Sequence, residues 1–134
     1  MLADAAGGKP EVLLLATGSE VALCIGAYEQ LAREGVGARV VSMPSWDLFE
    51  NQSADYRDSV LPPDIAARVS VEAASPLGWE RHVGQRGTII GMRSFGISAP
   101  GKVAEAHFGS DVAHVVAAAR DRWRCVDRLN SCRP

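Results

Sequence analysis

The chain has 134 residues and a mass of 14.2 kDa, which fits one domain able to bury a core of its own. Hydrophobic residues supply 47% and charged residues 22%, with a mean hydropathy of 0.00, a formal net charge of −2 and a pI near 5.9. That balance excludes wholesale disorder, a membrane span of ~20 apolar residues and a basic nucleic-acid binder, so neither nucleic acid nor membrane is expected as a partner.

The first strong element is a short, continuous apolar run, Val12 to Ala16, bounded by Pro10 and Gly18. It suits a strand buried on both faces, as in a parallel sheet. Val21, Cys24, Ile25, Tyr28, Leu31 and Ala32 then recur at helical spacing. Thr17 or Ser19 is placed to cap this helix, Glu20 lies in its first turn, and Gly35 supplies the stop. Ala38 to Ser42 forms a second strand, closed by Met43-Pro44. Trp46, Leu48 and Phe49 make a short apolar turn, and Ser53 to Leu61 a weak helix that Pro62-Pro63 ends.

Ala67, Val69 and Val71 alternate with Arg68, Ser70 and Glu72, which predicts a third strand with one less-covered face. A short helix follows at Trp79 to Val83, then a fourth strand at Thr88 to Gly91. The segment Arg93 to Ser98 leads to a short helix that Pro100 opens and Phe108-Gly109 ends. Ser110 and Asp111 open the last helix, with Val112, Val115, Val116, Ala119 and Trp123 on one face. No internal repeat or linker interrupts this series. Strands alternating with helices predict an α/β fold, a three-layer α/β/α sandwich around a mostly parallel sheet.

Ligands of such sheets sit beyond the carboxyl ends of the strands. There Thr17, Gly18 and Ser19 precede a helix, so their N–H groups are placed to hold a small anion, with Glu72 and Arg93 at neighbouring strand ends. Capping the helix is the plainer use of the same turn, and neither a dinucleotide fingerprint nor a P-loop is present. His82, His107 and His114 lack metal-ligand spacing, and His82, among Arg81, Gln85 and Arg86, reads as part of a polar surface turn. Ser19, Ser75 and Ser98 lie outside a nucleophile elbow. Asp47 and Glu72 at the rim read as caps or salt-bridge partners.

Arg81, Arg86 and Arg93 cluster in sequence, but Lys9 and Lys102 are the sole lysines among 14 basic residues, so no single arginine stands out. Cys24 falls on the apolar stripe of the first helix as an inert core thiol. Cys24, Cys125 and Cys132 form no fully paired disulfide framework and no zinc spacing. No signal-peptide apolar region follows Met1, so a cytoplasmic setting is expected. No catalytic, cofactor-binding or metal residue is assigned.

Several stretches resemble one family. They are Ala16-Thr-Gly-Ser-Glu-Val21, Ala38-Arg-Val-Val-Ser-Met-Pro-Ser45, Tyr56-Arg-Asp-Ser-Val-Leu-Pro62 and Val71-Glu-Ala73. Trp79, Val83-Gly84, Ile90-Gly-Met92, Phe95-Gly96, Ser98-Ala-Pro100 and Phe108-Gly109 follow in the expected order, so that the match spans about residues 9 to 120. The chain is similar to the C-terminal domain of transketolase, the thiamine-diphosphate enzyme of the pentose phosphate and Calvin pathways. The same fold ends the E1 components of 2-oxo acid dehydrogenases and deoxyxylulose-phosphate synthase, but Ser42-Met-Pro-Ser45 and Phe95-Gly-Ile-Ser-Ala-Pro100 fit transketolase best.

The resemblance implies four parallel strands plus an antiparallel edge strand, of which Met1 to Asp4 is the remainder within residues 1–9. It also implies that thiamine diphosphate, a divalent metal (Mg or Ca) and the sugar phosphate are held by other domains, so none of the family's cofactor or catalytic residues transfers to this chain. The expected role is structural and dimer-contacting within an enzyme that moves a two-carbon ketol unit between sugar phosphates, the isolated chain being inactive. Its partners are then the remaining transketolase domains or a separate subunit, with a homo-oligomer expected. A start at Met1 fits a truncation, a proteolytic remnant or a separately encoded subunit.

Trp46, Leu48, Phe49, Phe95 and Ile97 lie in connections and are the candidate interface. Residues 1–124 form the expected domain, and the tail 125–134 is expected to extend the last helix briefly and then fray. The alternative function is a small-anion or nucleotide-binding regulatory module built on Thr17, Gly18 and Ser19.

Overall fold

The computed structural model describes residues 1–92 and 111–131, with side chains as far as Leu129. Strands β1 (Val12–Ala16), β2 (Ala38–Ser42), β3 (Arg68–Glu72) and β4 (Thr88–Gly91) form one sheet in the order β2-β1-β3-β4, every pairing parallel. Helices α1 (Val21–Arg33), α2 (Trp46–Glu50), α3 (Ala54–Val60), α4 (Glu80–Val83) and α5 (Val112–Ser131) cover its two faces. The α/β class and the three layers are those the alternation of patterns predicts.

β1 lies between β2 and β3, so all five of its residues are buried. Its even positions, Val12, Leu14 and Ala16, join Val40, Val69 and Val71 under α1 and α5. Cys24, Ala27 and Leu31 of α1 point into this layer, as do Val115, Val116 and Ala119 of α5. The two helices meet closely at Gly26, where a Cβ would stand 2.9 Å from Val112 Cγ2, so a smaller separation is available than any other residue permits. Arg120 then ties α5 to Glu34 at the end of α1, donating through Nε at 2.7 Å and again through Nη2.

The opposite face carries Leu13, Leu15, Val41 and Met43 beneath Val60, Leu61 and Trp79. Ser45 and Ser53 cap α2 and α3, accepting from the N–H groups of Leu48 and Tyr56 at 3.3 Å each. Trp46, Leu48 and Phe49 are thus helical, not a turn. Leu13 is flanked in register by Arg39 and Arg68, which puts two guanidinium groups on this face. Arg39 donates to Ser59 O (2.6 Å) and Val60 O (3.3 Å), and Arg68 donates to Pro62 O (2.9 Å), Ile65 O (2.8 Å) and His82 O (2.7 Å). Together they satisfy the free carbonyls where α3 and α4 end, the position at which the helix dipole favours positive charge.

Three expectations are corrected. The polar face of β3 is covered further than expected: Ser70 at its middle is fully buried, and only Arg68 and Glu72 at its ends stay half-buried. Neither Thr17 nor Ser19 caps α1, because a 3-10 turn, Gly18–Glu20, intervenes and Ser19 Oγ donates to Glu20 instead. The last helix continues through Ser131, well beyond a brief extension past Cys125. Trp123 and Val126 explain the added turns, since both pack against the α1–α5 core and the Trp123 indole N–H reaches Glu11 at 3.2 Å.

The lead-in runs beside β2 in the opposite direction. Ala3 bridges Val40 in antiparallel fashion, through Leu2 N to Val40 O and Val40 N to Ala3 O, each 2.9 Å. Asp4 next to it meets Arg39 at both carboxylate oxygens, 2.9 and 2.8 Å. A remnant of the antiparallel strand therefore occupies the place that the resemblance implies.

Candidate functional site

The chain crosses from β1 to the α1 face and from β3 to the α4 face, so the carboxyl ends of these neighbours flank the point where connections diverge. Thr17, Gly18, Ser19 and Glu72 all lie at this crevice. Their polar groups are engaged locally: Ser19 Oγ donates to Glu20 Oε1 at 2.7 Å, and Glu72 Oε2 accepts from the Trp79 indole N–H at 3.4 Å. Glu20 Oε2 stands 3.7 Å from where a Gly18 Cβ would be, which lays a carboxylate over the turn. Arg93 falls outside the described residues, so no cation from that position is on view.

Along the rim on the other face, α2, α3 and α4 bring aromatic rings together. Trp46 meets Trp79 edge-to-face at 5.2 Å and His82 at 5.4 Å, while Phe49 lies 5.9 Å from His82 and 6.5 Å from Tyr56. Trp79 is completely buried; Trp46 and Phe49 are half-buried against it, and Leu48 points outward. Gly78 makes room for Trp46: with φ +91°, its missing Cβ would sit 2.6 Å from Trp46 Cζ3. Arg81 donates to Glu50 at 2.8 Å and lies 5.8 Å from the Trp46 ring, so an ion pair and a cation–π contact link α2 with α4. Phe95 and Ile97, the other two candidate interface residues, lie outside the described residues.

His82 is buried inside this aromatic group and is not part of a polar surface turn. The single turn of α4 sends Arg81 outward to Glu50 and turns its neighbour inward. Burial pushes the His82 pKa below its ordinary value, against a smaller upward pull from Glu50. The ring is therefore neutral at pH 7, and among the described residues Nε2 has no hydrogen-bond partner. A lone histidine beside two arginines offers no sequence signal for this; Trp46, Phe49 and Trp79 clustering in space is what buries it.

Among the described residues no group of three or more His, Cys, Asp or Glu side chains is arranged to hold a metal. His114 sits exposed at the start of α5 beside its cap, Asp111, whose Oδ1 accepts from His114 N at 2.8 Å. His107 lies outside the described residues. Cys24 is buried, and desolvation pushes its thiol up to about 12, as an inert core position requires. Asp47 lies exposed in the first turn of α2, and Arg86 is exposed. The buried Arg39 and half-buried Arg68 were invisible to motif reading; for Arg39, an arginine inside the mostly apolar run Ala38–Ser42 was the available signal.

The fold is a parallel α/β/α sandwich with aromatic packing between α2 and α4 and with helix-end arginines at the amino ends of β2 and β3, and no reacting set is assembled among its described residues. Residues 1–111 match the model of the transketolase-like TK C-terminal domain, and the chain belongs to that family. It is 52% identical over 121 residues to transketolase 1 of Escherichia coli, an alignment covering 90% of this chain and 18% of that protein. It is 51% identical over 115 residues to transketolase of Halalkalibacterium halodurans, covering 86% and 17%. Among solved structures, transketolase from Leishmania mexicana superimposes with a TM-score of 0.82 at 36% identity, covering 91% of this chain and 18% of that one. The chain thus spans less than a fifth of each of these three relatives. Nothing in these matches supports a separate anion- or nucleotide-binding module.

Proposed function

We propose that this chain serves as the C-terminal packing and contact domain of a transketolase, whose whole enzyme transfers a two-carbon ketol unit between sugar phosphates. The observation that carries the reading is the family match across residues 1–111, joined to a surface in which α2 and α4 are held by aromatic packing. In that enzyme thiamine diphosphate would supply the carbanion chemistry, and a divalent metal, Mg or Ca, would hold its diphosphate. The described residues do not fit either group: there is no cluster of metal-ligating side chains among them, and Glu20 and Glu72 present carboxylates at the crevice. Both would be bound by the rest of the enzyme.

The partners of the reading are the remaining transketolase domains, on the same polypeptide or a separate one, in a homo-oligomeric assembly with dimer contacts. A cytoplasmic place in pentose phosphate chemistry, or one in the Calvin cycle, belongs to the same proposal. No helix among the described residues is long and apolar enough to cross a membrane. Ketol transfer measured with the purified 134-residue chain, a ketose phosphate, an aldose phosphate, thiamine diphosphate and magnesium tests the reading. No turnover is expected; clear turnover by this chain alone would overturn it.

A further inference from the structure

Among the described residues, one cleft differs from three others in what lines it. It has a volume of about 290 Å³ and lies between the end of β2 and helices α2 and α3, walled by Met1, Met43, Pro44, Leu48, Phe49 and Tyr56, with Ser42, Ser45 and Gln52 as polar groups. None of its lining side chains is charged. Three other clefts each carry charge: Glu11, Asp64 and Asp127 in one, Arg57, Asp58 and Arg81 in another, Lys9 and Glu11 in the third.

The walls also expose large apolar side chains. Leu48 is 68% exposed, Met1 60% and Tyr56 50%, and Leu2, 59% exposed, adjoins Met1. These four are most of the exposed large hydrophobic residues described; Leu77 and Leu129 lie elsewhere. Single exposed leucines are ordinary, but several around one uncharged groove mark a contact surface.

The direction of the lead-in says what approaches this surface. Ala3 pairs with Val40 in antiparallel sense, so stepping back along the lead-in from Ala3 brings Met1 toward Ser42, and both residues line the groove. A polypeptide joined ahead of Met1 therefore enters over the groove. In the relatives this domain is the C-terminal one and makes up 17–18% of the protein, so the bulk of the transketolase chain precedes it.

Resting on the function proposed above, we infer that the uncharged groove between β2, α2 and α3 is the seat of the transketolase domain that precedes this one, on the same polypeptide or on a separate one. The occupant presents apolar side chains to Leu48 and Tyr56 and an extended segment alongside Ser42. A second copy of this chain is not the occupant.

The test places a photoreactive benzoylphenylalanine at Leu48, and in a second variant at the exposed Ala22 of α1, in the full chain made in its own cells. Adducts are read by mass spectrometry. Capture from Leu48 of a transketolase segment preceding this domain, about tenfold above capture from Ala22, is the expected result. Capture of a second copy of this domain, equal capture from both positions, or no adduct from Leu48 would overturn the assignment. Leu48→Lys and Tyr56→Lys change exposed positions, so they leave the melting transition of the isolated chain in place while lowering the melting transition of the assembled protein and, where the preceding domain is a separate polypeptide, its co-purification. An unchanged melting transition of the assembled protein, or unchanged co-purification of a separate partner polypeptide, also overturns it. If the purified assembly holds no transketolase sequence beyond this domain, the proposed function itself fails; if it holds such sequence and Leu48 captures none of it, the groove assignment alone fails.

Discussion

Replacing Arg39 with alanine tests whether the lead-in is part of the folded unit. Arg39 is 5% exposed and holds Asp4 at two oxygens while donating to the last carbonyls of α3. Removing one partner of a buried ion pair costs about 3–5 kcal/mol when the other charge stays buried. The Asp4 side chain is 25% exposed, so it turns toward water and recovers part of that, while Ser59 O and Val60 O lose their donor. The expected loss is about 2–3 kcal/mol, a fall in melting temperature of roughly 6–12 °C for a chain of this length.

Urea unfolding followed by helical ellipticity reads the loss as a lower midpoint at unchanged slope. A cycle with Asp4→Asn isolates the pair, and a coupling of about 1–2 kcal/mol is expected between the two changes. The Arg39 hydrogen bond holds the Asp4 carboxyl below its ordinary value. Its contribution is therefore present above pH ~4 and is lost as pH falls through the lower folded value. A cost for Arg39→Ala under about 1 kcal/mol, or additivity in the cycle, refutes the reasoning.

Gly78→Ala places a methyl 2.6 Å from the Trp46 ring in a left-handed backbone, and should cost about 2–4 kcal/mol in chemical denaturation. In a Trp46→Ala background the steric part vanishes, so the same change should cost about 1 kcal/mol. Because burial depresses the His82 pKa, the unfolded chain takes up its proton first; stability should fall as pH drops below ~6.5, and His82→Phe should flatten that decline in melting curves between pH 7 and 5. Cys24, with its thiol pushed up to about 12, should resist iodoacetamide until the chain unfolds, whereas exposed Cys125 should be alkylated in the native state, as peptide mapping would show.

Period and punctuation carried most of the sheet. The Val12–Ala16 run between Pro10 and Gly18 marks a doubly covered strand because nothing polar interrupts it, and in the α1 stripe packing buries Cys24 and Leu31 fully, together with Ala27, which the stripe did not include. β3 misled because its alternation of Val with Arg, Ser and Glu mimics a half-exposed strand. Its middle polar residue is covered instead: Ser70 is fully buried, while half-buried Arg68 reaches helix-end carbonyls. His82 escaped for a related reason. Its adjacent neighbours in sequence are polar; of the rings around it in space only Trp79 is nearby in the chain, while Trp46 and Phe49 come from the β2–β3 connection, beyond any local window.

The crevice residues were legible as a turn at the right end of β1, yet not as a turn whose own Glu20 folds back on it. The candidate interface divided along a line that composition does not draw. Trp46 and Phe49 fill space between α2 and α4, and Leu48, one residue from Phe49, faces away. A helix of five residues turns consecutive side chains through about 100° each, which separates filler from contact surface where a turn would have left them alike.

The two backbone bonds from Leu2 and Ala3 to Val40 occupy a row of amides that β2 would otherwise offer to any extended chain. Trimming the first five residues turns that row into a template for intermolecular pairing, and the trimmed protein is drawn toward fibrils, with thioflavin fluorescence as the signature. Handling follows from this: an affinity tag belongs at the far terminus, where a pull on the polypeptide loosens a helix end instead of unzipping the sheet.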